Sequence, residues 1–382
     1  MGNCSSTLNC ISQPNQPLTN ESIREAVHLW CEDPAQATAE YGHIEKWNTS
    51  EVTDMTRLFE GQELFTADIS KWDVSRVVAM LGMFHFATSF NQDLRDWDVS
   101  SVTNMDSIFH NARSFNQDLS GWDVSSVTNM NAMFYGATAF NQDLNEWDVS
   151  HVESMYAMFR GATSFNQDLN GWDVSSVTIM RAMFHRAISF NQDISGWNVS
   201  SVMNMSNMFS ETASFNQDLS GWDVSSVTGM RGMFRGAISF NHDLSGWNVS
   251  RVKDISYMFS SATSFYQDLS GWNVSRETNK YRMFRGAALT AMLQRTMNVS
   301  SFFEGVYRDM PREERKQAFA GVFVWQRRRA FMLFLVNHGY LYSASAPSNY
   351  KDPGATKPSR KVVQCDAIFD VEDIYRYICM FL

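Results

Sequence analysis

The sequence lacks a run of apolar residues long enough to cross a membrane. The best candidate, residues 320–336, is interrupted by Gln326 and by the three arginines Arg327, Arg328 and Arg329. A membrane-spanning helix needs about 18 to 20 predominantly apolar residues. The first residues also lack the charged and apolar regions of a secretory signal peptide. We therefore expect neither a transmembrane helix nor export by that route.

Cysteine is scarce and is missing from the middle of the chain. The five cysteines are Cys4, Cys10, Cys31, Cys365 and Cys379, an odd number without a CxxC pair. Disulfide frameworks and zinc sites use paired cysteines at short spacings. Neither is expected here, and a reducing compartment is favoured.

A net positive charge and catalytic motifs are lacking as well. The net charge of −10 disfavours nucleic acid as a partner. The histidines show no H-E-x-x-H spacing, and no G-x-S-x-G, P-loop or G-x-G-x-x-G sequence stands at a strand-to-helix turn. We therefore expect no enzyme, no catalytic residue, no cofactor and no dedicated metal site.

What the chain does contain is a tandem repeat of 25 residues. Its landmarks are ten equally spaced tryptophans: Trp47, Trp72, Trp97, Trp122, Trp147, Trp172, Trp197, Trp222, Trp247 and Trp272. A strict period of this length is typical of proteins in which each repeat stacks on its neighbours. One repeat alone buries too little apolar surface to fold, so the fold depends on stacking and on caps at both ends.

The apolar positions change their spacing within each repeat. In one copy they are Leu94, Trp97, Val99, Val102, Met105, Ile108, Phe109, Ala112 and Phe115. The step of two from Trp97 to Val99 predicts a short parallel strand. The steps of three and one from Val102 to Phe109 predict a short helix or 3₁₀ turn that faces the same core.

The repeat resembles that of a known bacterial family. L-x-x-W-x-V-x-x-V has the spacing of a leucine-rich repeat with Trp in place of the second leucine. W-D-V-S-S-V-T-N-M…M-F…A-x-S-F-N-Q-D-L-S-G resembles the 25-residue repeat of BspA-like surface proteins and mycoplasma lipoproteins, over roughly Tyr41 to Ala287. The resemblance implies a leucine-rich-repeat-like solenoid displayed on a membrane or cell surface, often adhesive, without shared catalytic residues.

The pattern divides the chain into four parts. We expect a flexible, lipidated leader over 1–19 and an N-terminal helical cap over 20–46, whose helix has Asn20 as its N-cap and stops at Asp33–Pro34. A solenoid of about ten repeats plus one eroded repeat follows over 47–303. The composition then changes, and 304–382 is expected to form a mostly helical C-terminal cap.

The first six residues, Met1-Gly2-Asn3-Cys4-Ser5-Ser6, match the M-G-x-x-x-[ST] signal for N-myristoylation. One myristoyl chain gives only marginal membrane binding, and a thioester-linked chain on Cys4 would supply the second anchor. We expect lipidation of Gly2 and Cys4; an ordinary unmodified leader is the alternative.

Two columns of aspartates recur with the repeats. One is Asp73, Asp98, Asp123, Asp148, Asp173 and Asp223; the other is Asp68, Asp93, Asp118, Asp143, Asp168, Asp193, Asp218, Asp243 and Asp268. Stacked about 5 Å apart, neighbouring carboxylates would repel by roughly 0.8 kcal/mol per exposed pair. We expect N–H groups of the turns to offset this repulsion. Calcium bridging is the alternative, although the glycine-rich metal loop is missing.

Some outward positions differ from copy to copy, in contrast to the nearly constant Gly-x-Asp-x-Ser positions. The differing positions that carry interface-type side chains are Tyr156, Arg160, Arg181, His185, Arg231 and Arg235, and we predict that they bind a protein partner. Drift after recent duplication is the alternative.

The sequence therefore favours a non-enzymatic binding or scaffold protein, lipid-anchored at the cytoplasmic face of a membrane. A cell-surface adhesin or a calcium- or glycan-binding wall protein is the second hypothesis.

Overall fold

The structure, a computed structural model, describes residues 16–269 and 271–287. The predicted lipidation sites, the eroded repeat and the C-terminal cap lie outside these residues. Three helical elements precede the repeats: α1 (Asn20–Glu32), α2 (Pro34–Tyr41) and a 3₁₀ turn (Ile44–Lys46).

Helix α1 starts at a capping box. The Thr19 hydroxyl accepts a hydrogen bond from the Ser22 N–H, and the Ser22 hydroxyl accepts one from the Thr19 N–H. Thr19 is thus the N-cap, and the prediction of Asn20 for this role is wrong. The Asn20 side chain instead joins α1 to the first repeat, because its Oδ1 accepts from the N–H groups of Thr53 and Asp54 at 2.9 and 3.1 Å.

Asp33 and Pro34 separate α1 from α2. The Asp33 carboxylate accepts hydrogen bonds from the Ala35 and Gln36 N–H groups, both at 3.0 Å, so it caps α2. Pro34 occupies the first turn of α2, where its missing N–H is no loss. The predicted stop at Asp33–Pro34 is confirmed.

Each repeat consists of tight turns and meets the next repeat through one isolated parallel bridge. The bridges join residues 25 apart, from Asp54 with Ala79 to Asp254 with Asn279. Further backbone bonds lie beside each bridge. In one copy, the N–H groups of Met105, Ser107, Phe109 and Asn111 donate to carbonyls 24 residues later, over 2.6 to 3.0 Å. Consecutive repeats therefore stack in register.

The short strand and short helix predicted for each copy are not formed in the described repeats, and that prediction is wrong. The bridge residue Asn104 falls inside the segment predicted to be helical, whereas Trp97 and Val99 have no regular structure. The physical reason is that Ser107 and Asn111 have φ of 60° and 56°. Each occupies the third position of a tight turn, a position that requires φ > 0. This backbone conformation interrupts a helix, and the N–H groups of the two residues donate to carbonyls of the next repeat instead.

The core is formed by columns of identical side chains. All nine apolar positions predicted from Leu94 to Phe115 are buried, and every repeat tryptophan is at most 5% exposed. The phenylalanine column from Phe59 to Phe284 stacks with ring centroids 5.5 to 5.7 Å apart. Like side chains therefore lie directly above one another in consecutive repeats.

Candidate functional site: the variable face

The six predicted partner-binding residues lie together on one side of the stack, which we call the variable face. They are Tyr156, Arg160, Arg181, His185, Arg231 and Arg235. Three of them directly follow a buried Met, and the other three directly follow a buried Phe. Their own side chains lie outside the core. Arg181, Arg231 and Arg235 are exposed, and the other three are half-buried. Register stacking places them in two adjacent columns.

Tyrosine rings hold several guanidinium groups of this face. The guanidinium carbon of Arg160 lies 5.0 Å from the centroid of Tyr135, and that of Arg181 lies 5.7 Å from Tyr156. Arg231 is similarly placed over Tyr257, at 5.5 Å. Cation–π contacts of this kind contribute about 0.5 to 1 kcal/mol at exposed sites. They orient the arginines before any partner arrives.

An ion-pair cluster adds two residues that sequence reasoning missed. The Glu211 carboxylate lies 2.7 Å from Arg186 Nε and 3.9 Å from an Arg235 guanidinium nitrogen. Burial raises the pKa of Glu211, but the hydrogen bond and charge of Arg186 outweigh it and leave the pKa below its ordinary value. Arg186 and Glu211 occupy a column that otherwise holds several glycines, so composition gave little signal for them.

His185 is a half-buried member of the face. Its Nδ1 is buried and has no hydrogen-bond partner among the described residues. Burial, followed by the positive charge of Arg160, lowers its pKa to about 4. The imidazole is therefore neutral at neutral pH, so the positive charge of this face comes from the arginines.

The same columns have a different chemistry nearer the N-terminus. His85 Nδ1 lies 2.8 Å from a Glu60 carboxylate oxygen, and the His85 ring lies 4.5 Å from that of His110. The His110 ring in turn lies 4.2 Å from the ring of Tyr135. The side is thus acidic and aromatic at its start and basic beyond Tyr135.

The aspartate columns are hydrogen-bonded as predicted. Asp123 Oδ1 accepts from the Ser125 N–H at 3.0 Å and from its hydroxyl at 2.6 Å, and Asp118 accepts from the Ser120 N–H at 2.9 Å. These bonds lower the pKa of both aspartates. In the part of the chain that the structure describes, no three His, Cys, Asp or Glu side chains form a group able to hold a metal ion. Calcium binding stays a hypothesis.

Gly2 and Cys4 precede the described residues, so their lipidation stays a prediction. Among residues 16–269 and 271–287, no helix is long and apolar enough to span a bilayer.

Comparison with known families identifies the repeat. Residues 33–143, 118–213 and 193–297 match the family described as Mycoplasma protein of unknown function, DUF285. The three overlapping segments span 33–297, more than half of the 382 residues. No curated protein matches the sequence. With its tandem 25-residue repeats, the chain belongs to the DUF285 family of mycoplasma-type repeat proteins.

Proposed function

We propose that the protein is a non-enzymatic scaffold that binds a protein partner through the variable face. In this proposal the stacked repeats act as a leucine-rich-repeat-like solenoid of the BspA-like kind. Acyl chains on Gly2 and Cys4 hold the protein at the cytoplasmic face of a membrane. The family match supports a repeat protein of the surface type, and the binding role and the tether are inferred from residues of this chain.

The observation that carries the binding proposal is the set of exposed arginines held over tyrosines. Arg and Tyr are enriched where proteins bind one another, and they often contribute most of the binding energy. Side chains that are already ordered lose less conformational entropy on binding. Arg181 and Arg231 meet both conditions, because each is exposed and stacked on a ring.

A capture experiment tests the binding role. The full chain and its Arg181→Ala/Arg231→Ala variant would be used as bait in the same cell extract, with Arg251→Ala as the control on another exposed position. We expect specific partners to be lost from the double variant and kept by the control. Identical sets of captured proteins from all three baits would contradict the proposal.

The tether is tested by membrane fractionation in a cell that contains N-myristoyltransferase. Gly2→Ala removes the acylated amine, so we expect the variant to move to the soluble fraction. Cys4→Ser leaves one chain and should bind membranes weakly and reversibly. Asn3→Ala changes a variable position of the motif and serves as the control. An unmodified N-terminus by intact-mass measurement would exclude the tether.

A cell-surface adhesin or a calcium- or glycan-binding wall protein is the second candidate. The match to a mycoplasma family favours it, because the resemblance to mycoplasma lipoproteins implies surface display. Asn198 and Asn248, each followed by Val-Ser, are glycosylation sequons that would be modified on passage through a eukaryotic secretory pathway. Glycosylated Asn198 would favour this candidate, and a melting temperature that chelator leaves unchanged would argue against its calcium variant.

A further inference from the structure

One stretch of the stack concentrates positive charge in an acidic protein. We call it the cationic segment; its arginines are Arg160, Arg181, Arg186, Arg231 and Arg235. Glu211 lies among them and pairs with Arg186 and Arg235. The preceding copies carry Glu60 and Asp106 at the equivalent positions, and the whole chain has a net charge of −10. The segment is therefore a local exception, which favours a ligand with negative charge.

Exposed apolar side chains border the cationic segment on both sides. Ile179 and Met203 are 38% and 51% exposed, and Ile179 precedes Arg181 by two residues. On the other border, Ile188 and Ile238 are each 47% exposed, and Ile188 follows Arg186 by two residues. Single exposed apolar residues need no explanation, but their grouping around one charged strip is typical of an interaction site.

The tyrosines of this region indicate a polypeptide ligand. Proteins that bind single-stranded nucleic acid stack bases on open aromatic rings. Here the Tyr135 and Tyr156 rings are covered by Arg160 and Arg181, so these two rings offer no platform for a base. The apolar borders also suit aliphatic side chains better than phosphates and sugars.

The dimensions suit an extended chain that runs along the stack. Arg160 and Arg235 are three repeats apart, and the stacked Phe rings of adjacent repeats lie 5.7 Å apart in this region. The arginines thus span about 17 Å, which an extended chain covers in about five residues. Alternate residues of such a chain lie roughly 6.6 Å apart on the same side, within about 1 Å of this ring spacing.

We infer that the cationic segment binds an extended acidic segment of a partner protein in which carboxylates alternate with apolar side chains. Such a chain lies between the arginines and the column of Ile188 and Ile238. Its carboxylates accept charge-assisted hydrogen bonds from Arg181, Arg186 and Arg231, and its apolar side chains contact the isoleucines. The inference rests on the proposed function and adds the chemical class of the partner.

The test is a titration of the full-length protein against short labelled peptides, followed by fluorescence anisotropy. The probe is a six-residue peptide of alternating Glu and Leu, and its control has Gln in place of every Glu. We expect saturable binding of the Glu peptide that weakens as salt increases, and at least about tenfold weaker binding of the Gln peptide. Equal affinities for the two peptides would overturn the inference.

Variants of the protein locate the binding site. Arg181→Gln/Arg231→Gln should weaken binding of the Glu peptide about tenfold, whereas Arg251→Gln, an exposed position outside the segment, should not. Glu211→Gln should bind several-fold more tightly, because it releases Arg186 and Arg235 from their carboxylate. A misfolded variant cannot mimic a gain in affinity. Glu146→Gln removes an exposed carboxylate elsewhere and is the matched control.

The outcomes separate this inference from the proposed function. If the Glu peptide does not bind, or if Glu211→Gln leaves its affinity unchanged, the acidic partner class is wrong. The proposed function survives that result when capture of cellular partners still depends on Arg181 and Arg231. If the Glu peptide does not bind and capture of cellular partners does not depend on Arg181 and Arg231, both the inference and the proposed function are wrong. Tighter binding of single-stranded RNA than of the Glu peptide would replace the polypeptide ligand with a nucleic acid.

Discussion

At the residue scale, the repeat tryptophans act as hydrogen-bond donors as well as core residues. From Trp72 to Trp272, each indole N–H donates to a carbonyl 28 residues earlier; Trp147, for example, donates to Leu119 over 3.0 Å. The acceptor belongs to the preceding repeat, so the same side chain fills the core and joins two repeats. This double role explains why tryptophan and not leucine occupies the position.

Replacing Trp147 with Phe should lower the free energy of unfolding by about 2 to 4 kcal/mol. The change removes the indole hydrogen bond to the Leu119 carbonyl, which keeps the Trp122 N–H as its remaining donor, and opens a small cavity. Denaturant unfolding followed by circular dichroism measures the loss. Trp30→Phe, at a half-buried position in α1, is the control and should have a smaller effect. Equal losses would contradict the predicted role of the indole at position 147.

The left-handed turn positions give a second residue-scale prediction. Gly161 has φ of +71°, and an added Cβ would come no closer than 3.7 Å to the neighbouring Gly136 backbone. Gly161→Ala should therefore destabilise the protein by about 1 to 2 kcal/mol through backbone strain alone. At Gly246, which lies outside the left-handed region and has open space around it, Ala should be neutral or stabilise by up to about 1 kcal/mol. Thermal melts of the two variants distinguish these effects, and equal shifts would contradict the φ argument.

At the scale of the repeat, a ladder of asparagines links neighbouring repeats. Each asparagine directly follows the phenylalanine of a Phe-Asn-Gln-Asp sequence or its variant. Asn166 Oδ1 accepts from the Asn191 N–H at 2.8 Å, and the Asn166 carbonyl accepts from Gln192 Nε2 at 2.9 Å. The same pair of bonds recurs from Asn91 to Asn241, with His242 in place of one glutamine. The Phe-Asn-Gln-Asp sequence thus forms a connection between repeats.

Asn166→Ala should destabilise the stack by about 1 to 3 kcal/mol, because the Asn191 N–H loses its acceptor. Asn198→Ala is a suitable comparison, since the Asn198 side chain accepts from Ser200 within its own repeat. We expect that variant to lose less than about 1 kcal/mol. Urea unfolding of both proteins measures the difference. A larger loss in Asn198→Ala would contradict the role of the ladder between repeats.

The sequence predicted the core of a repeat but not its backbone. Apolar spacing reports burial directly, so Leu94, Trp97 and the positions that follow them were assigned correctly. The turns were missed because Ala132 and Ala157 adopt φ of 48° and 54°, which their residue type does not suggest. Bonds to the next repeat hold these residues in place. The pairing of Arg186 with Glu211 was missed for a related reason, since it depends on the register of two repeats and not on either sequence alone.

At the scale of the whole molecule, burial of histidines makes stability depend on pH. Burial, followed by the charges of His85 and Arg160, lowers the pKa of His110 to about 4, from an ordinary value of 6.5. His185 is shifted to a similar value, also by burial first and then by Arg160. The unfolded chain therefore takes up protons before the folded chain does. Stability from these two groups is complete above about pH 6.5 and falls as pH decreases toward 4.

The aspartate columns affect the stability of the protein at a lower pH than the histidines do. Hydrogen bonds from serine lower the pKa of Asp123, Asp148, Asp173 and Asp223 below the ordinary value of 3.8. Their contribution is present above that value and is lost as pH falls through the folded-state pKa. The midpoint of thermal unfolding should consequently fall in two steps, the first from the histidines and the second from the aspartates.

The double variant His110→Gln/His185→Gln separates the two steps. We expect it to flatten the first step, between pH 6.5 and 4, because glutamine takes up no proton in either state. The second step, below pH 4, should remain. His151→Gln, at an exposed position outside the variable face, is the control and should keep the first step. A first step that persists in the double variant would assign the acid sensitivity to other groups, and the two buried imidazoles would then have no part in it.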